Sequence, residues 1–118
     1  MTRELATKVW KNDINFLETL CNRYDIFPPI WRRPYQESID DWNDRNIQVV
    51  LETMTLTGTF ITKYNFSCEY KVFLEDMTAI IAYFSDGKMF ASEYVAYDRL
   101  YETLHNNIQY FISQQSLS

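Results

Sequence analysis

Glycine, proline, histidine and cysteine are all scarce in this chain of 118 residues, which has two glycines, three prolines, one histidine and two cysteines. Two isolated glycines cannot build the glycine-rich loops that bind nucleotide phosphates. The single histidine, His105, lies far in sequence from Cys21 and Cys68, and none of the short spacings that fix two metal ligands together occurs. We therefore expect no catalytic residues, no metal and no cofactor, and we expect the protein not to be an enzyme.

Positive charge is also in short supply. The chain has 11 basic and 16 acidic residues and a formal net charge of −5. Binding to a nucleic-acid backbone requires a basic surface, so this class of partner is disfavoured. No run of 18 apolar residues occurs, and residues 2–5 do not resemble the apolar region of a signal peptide. We expect a cytoplasmic protein that does not bind a membrane and whose two cysteines are reduced, buried thiols.

Apolar residues, in contrast, are plentiful. They make up 47% of the chain, and aromatic residues alone make up 17%. A chain of this length and composition can bury enough apolar surface to fold, and 118 residues suit one domain. We therefore treat residues 1–118 as a single domain.

Helical spacing of apolar residues predicts a helix over residues 3–24 and a second helix over residues 38–56. Ser38 followed by Asp41 has the spacing of a capping box, and Gly58 is the expected stop of the second helix. The β-branched residues within 47–57 leave a strand as the alternative for that part of the chain.

After Gly58 the apolar period changes to two, which predicts antiparallel strands over residues 59–94. The segment 60–74 is either one long strand or a hairpin that bends near 65–67, and typical strand lengths favour the bend. Residues 78–84 are apolar on both faces, as in a strand that is central or lies at an interface. Asp86-Gly87 predicts a tight hairpin turn. A last helix is predicted over 95–113, followed by a frayed tail, so the fold class is α+β: two N-terminal helices, a meander of three to four strands, and a C-terminal helix packed on one sheet face.

The connection 25–37 contains all three prolines and is expected to be stiff and extended. Trp31, Arg32, Arg33 and Tyr35 lie there, and Trp, Tyr and Arg are the residues that contribute most to protein interfaces. They are the first candidates for protein binding. The alternative is that the segment packs down onto the core as a connection between two helices.

The second helix supplies a second candidate surface. Asp40, Asp41 and Asp44 lie on it and could meet a basic partner. The alternative is an ordinary solvated helix face, since carboxylates in a first turn also favour the helix dipole.

These patterns predict a small acidic module that binds another protein, of the inhibitor, immunity or adaptor type. Because residues 78–84 are apolar on both faces, a homodimer is also possible. One alternative is a small-ligand or enzymatic pocket lined by the sheet tyrosines Tyr64, Tyr70 and Tyr83. The other is an acidic nucleic-acid mimic.

Overall fold

A computed structural model describes residues 2–24, 26–27 and 33–116. It confirms the predicted α+β fold, in which two N-terminal helices precede an antiparallel meander and a C-terminal helix packs against the sheet. The elements are α1 (Arg3–Arg23), β1 (Ile26–Phe27), α2 (Ile39–Thr53), β2 (Thr55–Thr62), β3 (Phe66–Phe73), β4 (Thr78–Ser85), β5 (Lys88–Ala96) and α3 (Tyr97–Ser116).

The strands pair antiparallel in sequence order, and the two-residue β1 lies at the edge beside β2. The chain turns between β2 and β3 at residues 63–65, where Asn65 has a φ of 62°, so segment 60–74 forms a hairpin. Between β4 and β5, Asp86 and Gly87 have φ values of 51° and 80°. Two consecutive positive φ angles match the twist of the flanking strands, and the hairpin predicted from Asp-Gly is present.

The end of α2 corrects one predicted boundary. The helix was expected over 38–56 with Gly58 as its stop, but it ends at Thr53, where Met54 adopts a left-handed φ of 58° and donates its N–H to the carbonyl of Val50. The chain then enters β2 at Thr55 instead of 59, because the β-branched residues pair with β3. The strand alternative for 47–57 was therefore right only for its last three residues.

The other end of the sheet also differs from the predicted boundaries. β5 runs to Ala96, and α3 begins at Tyr97 instead of 95. α3 then continues to Ser116, so the tail that was expected to fray after 113 is helical over most of its length.

The core lies between one face of the sheet, the inner face, and the helices. β3 buries Phe66, Cys68, Tyr70 and Val72 on this face, as the alternation predicted. The same buried cluster includes residues of α1 and α3, while α2 packs on α1 through an edge-to-face contact between Trp42 and Trp10.

Gly58 is needed inside β2 because of the residue opposite it. Gly58 pairs with Tyr70 of β3, and a Cβ added at Gly58 would overlap the Tyr70 ring. The bare backbone lets the ring cross the neighbouring strand. Gly58 is therefore a packing residue and not the helix stop that its position suggested.

We expect Gly58→Ala to lower the free energy of unfolding by about 2 kcal/mol or more, because the added methyl group overpacks the Tyr70 ring. In a Tyr70→Ala background the same substitution should cost much less, since the ring is gone. Chemical denaturation of the wild type, the two single variants and the double variant measures the coupling energy between Gly58 and Tyr70.

Gly87→Ala is the matched control for this cycle. A Cβ there meets nothing within 4 Å, but φ is positive, so we expect a cost of about 1 kcal/mol that Tyr70→Ala does not change. Equal costs of Gly58→Ala in both backgrounds would contradict the packing role.

Candidate functional site

The end of the proline-rich connection holds one tyrosine almost wholly in solvent. Tyr35 is 98% exposed, and Arg33 is also exposed. The alternative, in which Phe27, Ile30 and Trp31 pack on the core, concerns side chains that lie outside the described residues. Trp31 and Arg32, the other two candidates on this segment, lie outside the described residues.

Two hydrogen bonds fix the backbone on either side of Tyr35. The N–H of Glu37 donates to the carbonyl of Pro34 at 3.1 Å, which closes a turn around Tyr35. Arg33 Nη1 donates to the carbonyl of Glu37 at 2.7 Å. The Tyr35 side chain is thus exposed on an ordered turn.

Glu37 extends this support into α2. Arg45 donates to both carboxylate oxygens of Glu37, from Nε at 3.1 Å and from Nη2 at 2.8 Å. The hydrogen bonds and charge of Arg45 lower the pKa of Glu37, so the pair stays ionised across the neutral range. A bidentate pair has a fixed geometry, and here it joins the turn to the second turn of the helix.

The acidic candidates lie directly after this turn. Ser38 caps α2 by accepting the N–H of Asp41 at 3.1 Å, as the sequence predicted, and Asp40 and Asp41 are exposed in the first helical turn. Asp44 is partly neutralised, because Arg3 Nη2 of α1 lies 3.4 Å from its Oδ1. Asp40 and Asp41 thus follow the Tyr35 turn at the start of α2, and Asp40 lines, with Asp44 and Arg3, a hollow between α1 and α2.

A buried carboxylate forms a second polar cluster, and sequence analysis missed it. Asp13 of α1 is fully buried, and its Oδ1 accepts hydrogen bonds from Tyr70 Oη at 2.6 Å and Tyr101 Oη at 2.9 Å. Among the described residues its Oδ2 has no hydrogen-bond partner. A carboxylate at a core position of the α1 apolar stripe was the available signal, because Trp10 and Leu17 lie three before and four after it.

Burial decides how Asp13 titrates. Loss of solvent raises the pKa of Asp13 to about 6, although the hydrogen bonds from Tyr70 and Tyr101 oppose this shift. Burial together with the Asp13 charge raises the pKa of both tyrosines, so they remain donors. The cluster links α1, β3 and α3, and we interpret it as structural.

A third cluster of polar side chains borders a hollow between β5 and α3. Tyr83 Oη donates to Glu93 Oε2 at 2.8 Å, and Asn107 Nδ2 donates to Tyr83 Oη at 2.6 Å and to Glu93 Oε2 at 3.3 Å. The hollow has a volume of about 280 Å³. Aromatic rings form its other walls, namely Phe66, Phe90, Tyr110 and Phe111.

Of the three tyrosines predicted to line a pocket, only Tyr83 lines this hollow. Tyr70 is in the Asp13 cluster, and Tyr64 lies in the turn after β2.

Residues 78–84, predicted to form a strand that is central or lies at an interface, belong to β4, which lies between β3 and β5. Ala79, Ile81 and Tyr83 are buried against the helices, but Ile80 and Ala82 face outward and are only partly buried. They line a shallow depression of about 560 Å³ on this outer face. The second apolar side of β4 is therefore accessible in the part of the chain that the structure describes.

The thiols and the histidine lie apart. Cys68 is buried, whereas Cys21 is exposed on α1, so the prediction of two buried thiols is wrong for Cys21. His105 Nε2 lies 3.3 Å from the hydroxyl of Tyr24. No group of three or more potential metal ligands occurs within the described ranges, and no helix there is long and apolar enough to cross a membrane.

A comparison of the chain with protein-family models, curated proteins and solved structures found no match. The proposals below therefore rest on the geometry and chemistry of this chain.

Asp13 gives a prediction about stability and pH. Its pKa is higher in the folded chain, about 6, than its ordinary value of 3.8, so the folded state holds the proton more tightly. The stabilisation that the folded state gains from this tighter proton binding is complete below pH 4 and is lost as the pH rises through 6. Relative to Asp13→Asn, we expect the wild type to lose about 3 kcal/mol of unfolding free energy between pH 3.5 and pH 8.

Denaturant unfolding of both proteins at several pH values measures this difference, in which the titrations that they share cancel. Asp76→Asn, the same substitution at an exposed carboxylate, serves as the control. A difference between wild type and Asp13→Asn that stays constant with pH would contradict the shifted pKa.

Proposed function

We propose that this chain is a non-enzymatic, acidic protein-binding module of the inhibitor, immunity or adaptor type, and that it acts in the cytoplasm. The observation that carries the proposal is Tyr35, which is 98% exposed on a turn that is held from both sides. We call Tyr35, Asp40 and Asp41 the α2 entry surface.

An exposed tyrosine on an ordered turn suits protein recognition for energetic reasons. Its ring can bury a large apolar area in a partner, and its hydroxyl adds one directed hydrogen bond. Because the turn is already fixed by Arg33 and Glu37, less conformational entropy is lost when the partner binds.

Charge indicates the kind of partner. Asp40 and Asp41 are exposed five and six residues after Tyr35 in the sequence, and the whole chain has a net charge of −5. A basic surface on the partner would be attracted to this region and would bind faster at low salt. The acidic nucleic-acid mimic is less well supported, since two acids of this region are paired with bases, Glu37 with Arg45 of α2 and Asp44 with Arg3 of α1.

We expect Tyr35→Ala to weaken partner binding at least about tenfold, because truncating a central aromatic residue typically costs more than 1 kcal/mol. The double substitution Asp40→Asn and Asp41→Asn should weaken it less and reduce its salt dependence. The measurement is quantitative capture from extracts of the native cell on the immobilised chain, at two salt concentrations, with mass spectrometry of the bound proteins.

Val49→Ala is the control, because it truncates an exposed apolar side chain of α2 that belongs to none of the proposed surfaces. It should leave capture unchanged. Trp31→Ala and Arg32→Ala extend the scan to the neighbouring candidates. If Tyr35→Ala captures the same proteins in the same amounts as the wild type, the α2 entry surface is not the binding site.

The hollow beside Glu93 supports a second candidate function, the binding of a small aromatic ligand. Aromatic walls with a few convergent polar groups are typical of ligand sites. The carboxylate of Glu93 accepts hydrogen bonds at its rim, so the favoured ligand is an aromatic amine whose cation would face this oxygen.

We expect tryptamine to bind the hollow and indole-3-acetate, with the opposite charge, not to bind. Chemical-shift changes in nuclear magnetic resonance spectra of the protein measure the binding of each ligand. Glu93→Gln should weaken tryptamine binding about tenfold, because a charged hydrogen bond is lost. Equal shifts with both ligands, or shifts outside β5 and α3, would count against this site.

A further inference from the structure

The strand register arranges the outer-face side chains in rows that cross the sheet. Two central rows are adjacent. One row contains Thr57, Lys71, Ile80 and Tyr94. The next row contains Thr59, Glu69, Ala82 and Ser92. Each residue of the first row therefore has a counterpart on the same strand in the second row.

We propose that the outer face of the sheet binds the outer face of a second copy of this chain. The two-fold axis lies in the interface, perpendicular to the strands, between the row of Lys71 and the row of Glu69. A rotation about this axis places each residue of the first row over its counterpart in the second row of the other copy. A two-fold contact of this kind uses the same surface twice.

The charges on this face fit such an axis. Lys71 of one copy meets Glu69 of the other, and symmetry forms this ion pair twice. Both side chains are exposed in the single chain, and the ion pairs found among the described residues include neither of them. Opposite charges that meet across a contact fix its register and disfavour wrong alignments.

Side-chain size fits the same axis. Ile80 meets Ala82, and Tyr94 meets Ser92, so a large side chain is opposed by a small one in each case. Tyr94, on the edge strand β5, is 72% exposed in the single chain. Large residues opposed to small ones let two sheets interdigitate at the usual separation of about 10 Å.

The two rows farther from the axis also place large side chains opposite small ones. In one of them Phe73 pairs with Thr78, and in the other Ser67 pairs with Phe84. The rotation places Phe73 over Ser67 and Phe84 over Thr78. The twist of the sheets rotates the two sets of strands by about 30°, so these outer pairs meet less closely than the central ones.

A two-fold axis along the strands gives a poorer contact. It would exchange β3 with β4 and place Lys71 over Ile80 and Glu69 over Ala82. Both charges would then be covered by apolar groups with no opposite charge, which is costly. The charges therefore select the perpendicular axis.

The face is large enough for a specific dimer. Four strands about 4.8 Å apart, each with about eight residues that rise 3.3 Å, cover roughly 500 Å² per copy. Two copies would bury roughly 1,000 Å² or more, which reaches the size expected of a biological interface and exceeds most crystal contacts.

This inference does not depend on the proposed function. The α2 entry surface lies on the helical side of the sheet, since α2 packs on α1 and α1 packs on the inner face. Self-association is measured on the purified chain alone and partner capture by Tyr35→Ala, so either result can fail without the other.

Charge reversal tests the proposed axis. Lys71→Glu and Glu69→Lys each create two like-charge contacts in a dimer, and each should raise the dimer dissociation constant by about 100-fold. An equimolar mixture of the two variants should form a heterodimer, because every contact then joins opposite charges. The chain that carries both substitutions should dimerise like the wild type. Sedimentation equilibrium over a concentration series measures all of these constants.

The matched control is Lys63→Glu, a charge reversal in the turn outside the sheet face, which should leave the dissociation constant unchanged. Circular dichroism checks that each variant is folded. A wild type that remains monomeric up to about 1 mM, a dimer that neither reversal weakens, or a mixture that does not associate would each overturn the proposal.

Discussion

The carboxylate of Asp13 holds two helices and the sheet in one arrangement. A single oxygen accepts hydrogen bonds from Tyr70 on the central strand β3 and from Tyr101 on α3, while Asp13 itself belongs to α1. Tyr70 reaches it because Gly58, opposite on β2, leaves room for the ring. The position of two helices on the sheet therefore depends on one acid, two hydroxyl groups and one missing side chain.

This arrangement gives specificity more than stability. Taking a carboxylate out of water is costly, which the raised pKa of Asp13 reflects, and the two tyrosine hydrogen bonds offset only part of that cost. Apolar residues of similar size could fill the same space, but they would not require one fixed contact between α1, β3 and α3. Hydroxyl donors that must meet one acceptor penalise such shifts, because any displacement leaves a buried charge without partners.

The sequence predicted the features that depend on local pattern and missed those that depend on tertiary contacts. The alternation in β3 and the Asp-Gly turn follow from local geometry, and both are present. The left-handed Met54 that ends α2 has no local signal, since methionine rarely adopts that conformation. For the site, residue type marked Tyr35, Asp40 and Asp41 as candidates, but the exposure of Tyr35 depends on contacts of Arg33 and Glu37 that spacing does not reveal. The pairing of Lys71 with Ile80 across strands likewise appears only once the register is known.

The two proposed surfaces are compatible because they lie on opposite sides of the sheet. The inner face is occupied by α1 and α3, and α2 extends this helical layer, whereas the rows that contain Lys71 and Glu69 lie on the outer face. A dimer joined through the outer faces would leave both Tyr35 turns accessible, one on each side of the dimer. Such an assembly would contact a repetitive or dimeric partner at two points, and the second contact would form at a high effective concentration. Modest affinity at each turn would then be sufficient for stable binding, which suits a recognition surface as small as one tyrosine and two carboxylates.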